Sequence, residues 1–459
     1  HTFIYKGGGY MERNALQSLR EWKQSPYRKP LLLKGARQVG KTWLLKEFGK
    51  REYKNVCYIN FDEEPELAEF FRATKKIERL LPNLAIAKQQ KIVPGETLLI
   101  LDEIQNAPEA LNSLKYFKEN APEYHVACAG SLLGVALARP SSFPVGQVDF
   151  MTIYPMTFLE FLRALGMESY ADYLKTQELE EIPTPFFTPL VEKLKTYLIT
   201  GGMPEVVKQW VQTQSPAQIQ TTLLNILTAY ERDFAKHPDT KEYPKISLVW
   251  QSLPSQLARE NKKFLYSAVK EGARAREYED ALQWLSNSQV VYKIYRSKAP
   301  GLPLSAYDDL SAFKIYLSDV GLLRRLSELE PSVFAEGERL FTEFKGALTE
   351  NFVLQSLLPQ FNRLPRYWAR NNPSYEVDFV TQWKNEIIPM EVKAGTNVES
   401  RSLRKYEEQY PKETKLKVRF SLNNLRLDGN LLNIPLFMAD QTSRLIQLGM
   451  DTMNPPTSP

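Results

Sequence analysis

Gly35-Ala36-Arg37-Gln38-Val39-Gly40-Lys41-Thr42 is a complete phosphate-binding loop of the form GxxxxGK[ST]. The apolar run Pro30-Leu31-Leu32-Leu33 leads into it, and the helix-compatible stretch Trp43-Leu44-Leu45-Lys46-Glu47-Phe48 follows. The motif therefore has the strand–loop–helix context that separates it from a chance glycine turn. Backbone N–H groups of such a loop wrap phosphates, and the positive end of the following helix adds to the attraction. On this reading Gly35, Ala36, Arg37, Gln38, Val39 and Gly40 form the cradle. Lys41 reaches the β- and γ-phosphates, and the Thr42 hydroxyl ligates Mg²⁺. ATP and Mg²⁺ are the expected cofactors.

Working outward, the next informative stretch is Thr97-Leu98-Leu99-Ile100-Leu101-Asp102-Glu103. Four consecutive apolar residues suit a strand buried on both faces of a parallel sheet. Asp102 is placed to hold Mg²⁺, and Glu103 to orient or deprotonate the attacking water. Alone, the run reads equally well as a strand entering a polar loop; the preceding phosphate loop favours the catalytic reading. Residues 55–61, 124–130 and 147–153 are further strand candidates. Ser131, at the tip of the second, either senses the γ-phosphate or caps the helix that begins at Leu132-Leu133. Strands alternating with helices give an α/β P-loop NTPase with a parallel sheet and ligands at the carboxyl ends of the strands. Arg37, Arg139, Arg163 and Arg232 are all candidates for an arginine that completes the site, and the sequence does not choose among them.

The chain has 459 residues, 43% hydrophobic and 25% charged, with a net charge of +5. That length calls for several domains, and the composition is that of a globular protein. No apolar run approaches a membrane span and no secretory signal is recognisable, so the expected location is the cytoplasm, with no membrane partner. Residues 1–10, with Gly7-Gly8-Gly9, read as a leader or expression remnant before Met11. Cys57 and Cys128 read as small buried residues of a reducing compartment. Two cysteines and three histidines exclude a zinc-type Cys/His cluster.

Two stretches beyond the fifth strand carry a family resemblance. Tyr154-Pro155-Met156-Thr157-Phe158-Leu159-Glu160-Phe161 and Gly201-Gly202-Met203-Pro204-Glu205-Val206 resemble the prokaryotic AAA-like ATPases related to the archaeal ATPase and STAND groups, which carry an uncharacterised C-terminal domain. The resemblance runs from about Met11 to Asp440. Read from its residues, the Gly-Gly-Met-Pro stretch is a helix terminator followed by a helix with proline in its first turn. Residues 158–243 read as a helical lid. Residues 244–330 show three short helices (Ser247–Glu260, Ser267–Glu271, Arg274–Ser286) and two β-like runs, Val290–Tyr295 and Phe313–Leu317. They are expected to form a winged helix, as the resemblance also implies. Arg274, Arg276, Lys262 and Lys263 are candidates for phosphate contacts, but Glu277, Glu279 and Asp280 share the third helix, as on a solvated face.

The C-terminal part, residues 331–440, holds a second constellation. Tyr375-Glu376-Val377-Asp378-Phe379-Val380 and Ile387-Ile388-Pro389-Met390-Glu391-Val392-Lys393 read as strands, with Glu391 and Lys393 on one face. Asp378 and Glu391 are candidates for a second Mg²⁺ site, with Lys393 stabilising developing charge. The pattern resembles the PD-(D/E)XK nuclease superfamily, which implies a restriction-nuclease-like α/β domain and a helical acid upstream, here Glu350. Val377 departs from the proline that usually precedes the superfamily's aspartate. Residues 441–459 are expected to be a tail, loosely packed from Gly449 onward. The expected whole is an ATP-binding and ATP-hydrolysing switch with a core at 11–157, acting on DNA. The alternatives are an ATP-regulated DNA nuclease and a STAND-type signalling or scaffold ATPase that binds a protein partner. Oligomeric state is left open.

Overall fold

The computed structural model describes residues 11–137, 146–237, 239–258, 263–334, 345–361, 363–371, 374–396 and 399–453. The expected leader, Arg139 and Lys262 lie outside them. The chain divides into two compact units, one comprising Glu12–Tyr154 with Gln283–Val290, the other the remainder.

In the first unit, β1 (Leu31–Lys34), β2 (Asn55–Asn60), β3 (Thr97–Asp102), β4 (His125–Ala129) and β5 (Asp149–Thr152) form one sheet in the order β2-β3-β4-β1-β5. Every pairing is parallel. Parallel neighbours need long crossovers. The helices Lys41–Glu52, Ile77–Ala87 and Pro108–Asn120 supply them. All six residues of β3 are buried, which is why that strand reads as an unbroken apolar run. Leu99, Leu101, Val126, Cys57 and Cys128 from the sheet pack with Leu80, Leu84, Leu114 and Phe117 from the helices. Both cysteines are free thiols inside this core.

The second unit begins with the expected helices: Phe158–Ala164, Glu168–Thr176, Thr184–Thr200, Pro204–Thr213 and Pro216–Phe234. The first opens on a capping box, in which Thr157 Oγ1 accepts from Glu160 N–H and the Thr157 backbone N–H donates to the Glu160 carboxylate. One helix ends at Thr200, Gly201 takes φ +68°, and the next starts at Pro204, as a terminator followed by proline should. Packing adds a second reason for the glycines. A Cβ on Gly201 would stand 2.1 Å from Asp319 Oδ1. Gly202 N–H donates to Asp319 Oδ2 (2.6 Å), and Met156 N–H donates to Gly202 O (2.6 Å). The Gln355 amide also donates to Asp319 Oδ2 at 3.1 Å. The residues that carry the resemblance, around Met156 and Gly202, thus meet in one buried hydrogen-bonded hub.

Further along, the helices Tyr243–Leu257 and Ala275–Asn287 match expectation, but the middle helix shrinks to one 3₁₀ turn, Tyr266–Ala268, with no buried residue. The hairpin of β6 (Val291–Ser297) and β7 (Asp308–Leu317) forms, with a register shift at Tyr295/Arg296. It does not stand apart. β6 also pairs in parallel with β8 (Arg366–Asn371), and β9 (Ser374–Trp383), β10 (Glu386–Val392), β11 (Lys417–Ser421), β12 (Arg426–Asp428) and β13 (Leu431–Pro435) extend an eight-stranded sheet, β12-β13-β11-β10-β9-β8-β6-β7. The boundary expected after residue 330 is therefore crossed by the sheet. The Arg366 guanidinium reinforces the crossing with a forked pair to both Asp308 oxygens, at 2.7 and 2.8 Å.

The expected loose tail from Gly449 is corrected for residues 449–453, while residues 454–459 lie outside the described residues. Thr442–Met453 is a helix that buries Leu445, Ile446 and Gly449. The apolar spacing gives it a face to dock, and Gly449 lies near Leu416 and Leu432. No helix among the described residues is long and apolar enough to cross a membrane.

Candidate functional site

The phosphate loop follows β1, and the helix beyond it starts at Lys41. Gly35 sits at φ +149°, and a Cβ there would lie 2.3 Å from Ile153 O. Only glycine lets the loop leave the sheet beside β5 at that separation. A residue with no part in the motif holds the loop from outside. Arg13, 4% exposed, donates to Val39 O (2.9 Å) and to Tyr154 O (2.6 Å). Lys41 is buried and donates to the carbonyls of Gly35 and Ala36, each at 2.8 Å. Burial lowers its pKa to about 8, against the raising influence of Glu103 and Asp102, while Arg37 lowers it further. The ammonium remains charged at neutral pH.

The start of the phosphate-loop helix and the end of β3 are joined side chain to side chain. Thr42 Oγ1 donates to Asp102 Oδ2 at 2.7 Å. Tyr58 on β2 donates its hydroxyl to the same oxygen at 2.9 Å, and Glu103 N–H donates to Asp102 Oδ1 at 3.0 Å. Burial, then Asp102, raises the Tyr58 pKa, so the phenol stays a donor. Glu103 is in the left-handed region, φ +49°, a conformation that carries strain for a residue with a side chain. Its Oε2 accepts from Ser131 Oγ (2.9 Å), Ser131 N–H (3.1 Å) and the Gln105 amide. Ser131, left between two roles by sequence, spends its hydroxyl on Glu103. Lys41, Thr42, Asp102, Glu103 and Ser131 are therefore brought to one place, together with Tyr58, Gln105 and Arg13, which the motifs did not mark. Of the arginine candidates, Arg37 lies near enough to Lys41 to influence it, and Arg163 pairs with Asp172 at 3.1 Å.

The C-terminal constellation is only partly assembled. Glu391 and Lys393 share a face as read, and their side chains pair at 2.9 Å. β9 and β10 stay in register up to Phe379 opposite Met390; beyond that, Asp378 Oδ2 accepts from Val392 N–H at 2.7 Å. Glu391 is 2% exposed, and its Oε2 has no hydrogen-bond partner among the described residues. Glu350 is engaged elsewhere. Its Oε1 accepts from the Tyr316 hydroxyl and from Lys314 Nζ, the latter at 3.3 Å. Lys314, with no exposed side-chain surface, also pairs with Glu376. Burial alone would lower its pKa, but Glu350, Glu376 and Asp378 outweigh it and the net shift is upward. A fixed cation thus lies among these acids. Among the described residues no three His, Cys, Asp or Glu side chains converge as a metal cage. The signal for Lys314 was a lone charged residue inside the apolar strand run Phe313-Lys314-Ile315-Tyr316-Leu317.

Comparison with known proteins bears on three segments. The family model of an AAA domain matches residues 27–162. Residues 191–333 match a domain of unknown function (DUF8612), and residues 345–437 another (DUF4143). A search of curated proteins finds no match. Among solved structures, a Walker-type ATPase of Pyrococcus abyssi is 14% identical, with a TM-score of 0.41 over 71% of this chain and 98% of its own. The Aeropyrum pernix ORC1 protein in complex with DNA is 15% identical, with a TM-score of 0.27 over 69% and 91%. A STAND protein with a tetratricopeptide repeat sensor from Pyrococcus horikoshii is 12% identical, with a TM-score of 0.27 over 79% and 48%. These overlaps are too loose to fix a fold. The matched family model, the parallel sheet and the phosphate loop agree that residues 27–162 are an AAA-type P-loop ATPase domain.

Proposed function

We propose that the chain is an ATP-dependent switch that hydrolyses ATP with Mg²⁺ at the loop Gly35–Thr42. The observation that carries this is the 2.7 Å bond between Thr42 Oγ1 and Asp102 Oδ2, which links the end of the loop to the acid at the end of β3. Hard oxygen donors of this kind suit Mg²⁺. Thr42 and Asp102 would hold the ion, which would supply neutralisation of charge on the phosphates. Loop N–H groups and Lys41 bind the phosphates, giving up the contacts of Lys41 to Gly35 and Ala36. Glu103 orients the attacking water and takes its proton, and for that its carboxylate must leave Ser131 and Gln105. Release of Glu103 is then a step that the γ-phosphate gates through Ser131.

Lys41→Ala is expected to abolish ATP turnover with far-UV circular dichroism and thermal unfolding unchanged. Turnover at the wild-type rate in that variant would sink the site assignment.

A second reading, an ATP-regulated DNA nuclease, has two observations in its favour: Asp378 lies beside the paired Glu391 and Lys393, and Glu391 Oε2 lacks a donor among the described residues. Against it, Glu350 is held by Lys314 and Tyr316 rather than left for a metal. Mg²⁺-dependent cleavage that disappears in both Asp378→Ala and Lys393→Ala would establish it. No cleavage of single- or double-stranded DNA or RNA would leave the domain a binding module. For DNA contact, Arg274 and Arg276 are exposed, and exposed Glu277, Glu279 and Asp280 follow them directly.

A further inference from the structure

Tyr58 belongs to neither motif of the ATP site, yet its hydroxyl ends on the oxygen that Thr42 uses. It is carried by β2, which pairs with β3 so that Tyr58 faces Ile100 and Asn60 faces Asp102. The ring is fixed from the other side. Lys46, one helical turn beyond Thr42, places Nζ 3.6 Å from the ring centroid, a cation–π contact at close range. The phosphate-loop helix and β2 thus fix one phenol between them, and its hydroxyl donates to Asp102.

A carboxylate oxygen accepts about two hydrogen bonds in its plane. On Asp102, Oδ2 takes Thr42 and Tyr58, and Oδ1 takes the Glu103 N–H. Three donors from three elements fix the carboxylate plane. Without Tyr58, Asp102 would keep Thr42 on Oδ2 and the Glu103 N–H on Oδ1; once the Thr42 hydroxyl serves the cation, the Glu103 N–H alone would be left to hold the plane. Partners of this sort orient the groups that hold a metal, and their loss costs about 10- to 100-fold in metal affinity.

We propose that Tyr58 is a positioning residue for the divalent cation of the ATP site: pinned by Lys46, it sets the orientation of Asp102 and hence the affinity for Mg²⁺. This rests on the ATP-site reading above. Tyr58 touches neither phosphate nor reacting water in that reading; it acts through Asp102.

The test uses the full chain, with Mn²⁺ in place of Mg²⁺ and a fluorescent ATP analogue as probes. Wild type, Tyr58→Phe and Lys46→Met are compared in two measurements: analogue binding in EDTA, and Mn²⁺ binding to the analogue complex by electron paramagnetic resonance. The expected result is metal-free nucleotide affinity unchanged in Tyr58→Phe and Mn²⁺ affinity about tenfold weaker, with a smaller loss in the same direction for Lys46→Met. A merely structural role for Tyr58 would move both measurements together or neither. Nucleotide binding with unchanged or tighter Mn²⁺ affinity in Tyr58→Phe overturns the role of Tyr58 alone. A wild-type chain that binds no nucleotide overturns the ATP-site reading, and the role of Tyr58 with it.

Discussion

His125 and Lys314 are buried ionisable residues solved in opposite ways. His125 is 8% exposed, bonds the Tyr53 hydroxyl through Nδ1 at 2.7 Å, and is pushed down to about 4 by burial and by Arg28 and Lys23. The unfolded chain takes up this proton near pH 6.5 and the folded chain does not until about 4. Between those values the unfolded state therefore binds more protons, and stability falls as the pH drops. The expected contribution at pH 4.5 is on the order of 2 kcal/mol. Denaturant unfolding of wild type and His125→Gln at pH 7 and 4.5 checks it: wild type should lose more than the variant. Lys314 instead keeps its charge by pairing with Glu350 and Glu376. Lys314→Met leaves those acids without a counter-charge and should destabilise by about 3–5 kcal/mol, measured by urea unfolding. A loss below 1 kcal/mol would show that the acids are neutral in the fold. Lys41, Thr42, Asp102 and Glu103 were legible because motif spacing is local. Tyr58 reaches its partner across 44 residues and Lys314 reaches Glu376 across 62; such contacts exist only once the sheets are assembled, and leave no spacing to read.

The strands of the first unit followed from their apolar runs, whereas β8, β11, β12 and β13 were not read from the sequence, and several misses have physical causes. The 3₁₀ turn at Tyr266–Ala268 has no buried residue, so nothing pays for extending it into a helix. The helix Thr442–Met453 has such a face, outweighed in the sequence by the proline-rich end that follows. The junction of β6 with β8 was hidden, since pairing between distant strands is set by tertiary packing and not by either strand alone. The hub at Gly201 offers a test at this scale. Gly201→Ala meets both a positive φ and Asp319 at 2.1 Å, whereas Gly146→Ala meets a positive φ of +77° with nothing within 4 Å. The first should cost about 3 kcal/mol and the second about 1 kcal/mol, read from their unfolding midpoints. Equal losses would mean that the hub yields without cost.

For the whole molecule, the switch reading makes ATP visible beyond residues 12–154. A non-hydrolysable analogue should change amide hydrogen exchange in described segments of the second unit, among them the hub around Gly202 and Asp319. Changes confined to residues 12–154 would refute the switch while leaving ATP binding intact. Under the STAND-type alternative, light scattering should instead show assembly with the analogue and none without it; an unchanged size in both states counts against that reading. The eight-stranded sheet bears on how the chain can be dissected. Its strands come from two segments, 191–333 and 345–437, that match separate families. Expressed alone, the first would present β6 with an unsatisfied ladder where β8 belongs, and the second would present β8 likewise. Raw edges of that kind recruit other chains. Fragments cut at the family boundary should therefore precipitate, while one spanning both stays soluble, as expected of two segments that share one sheet.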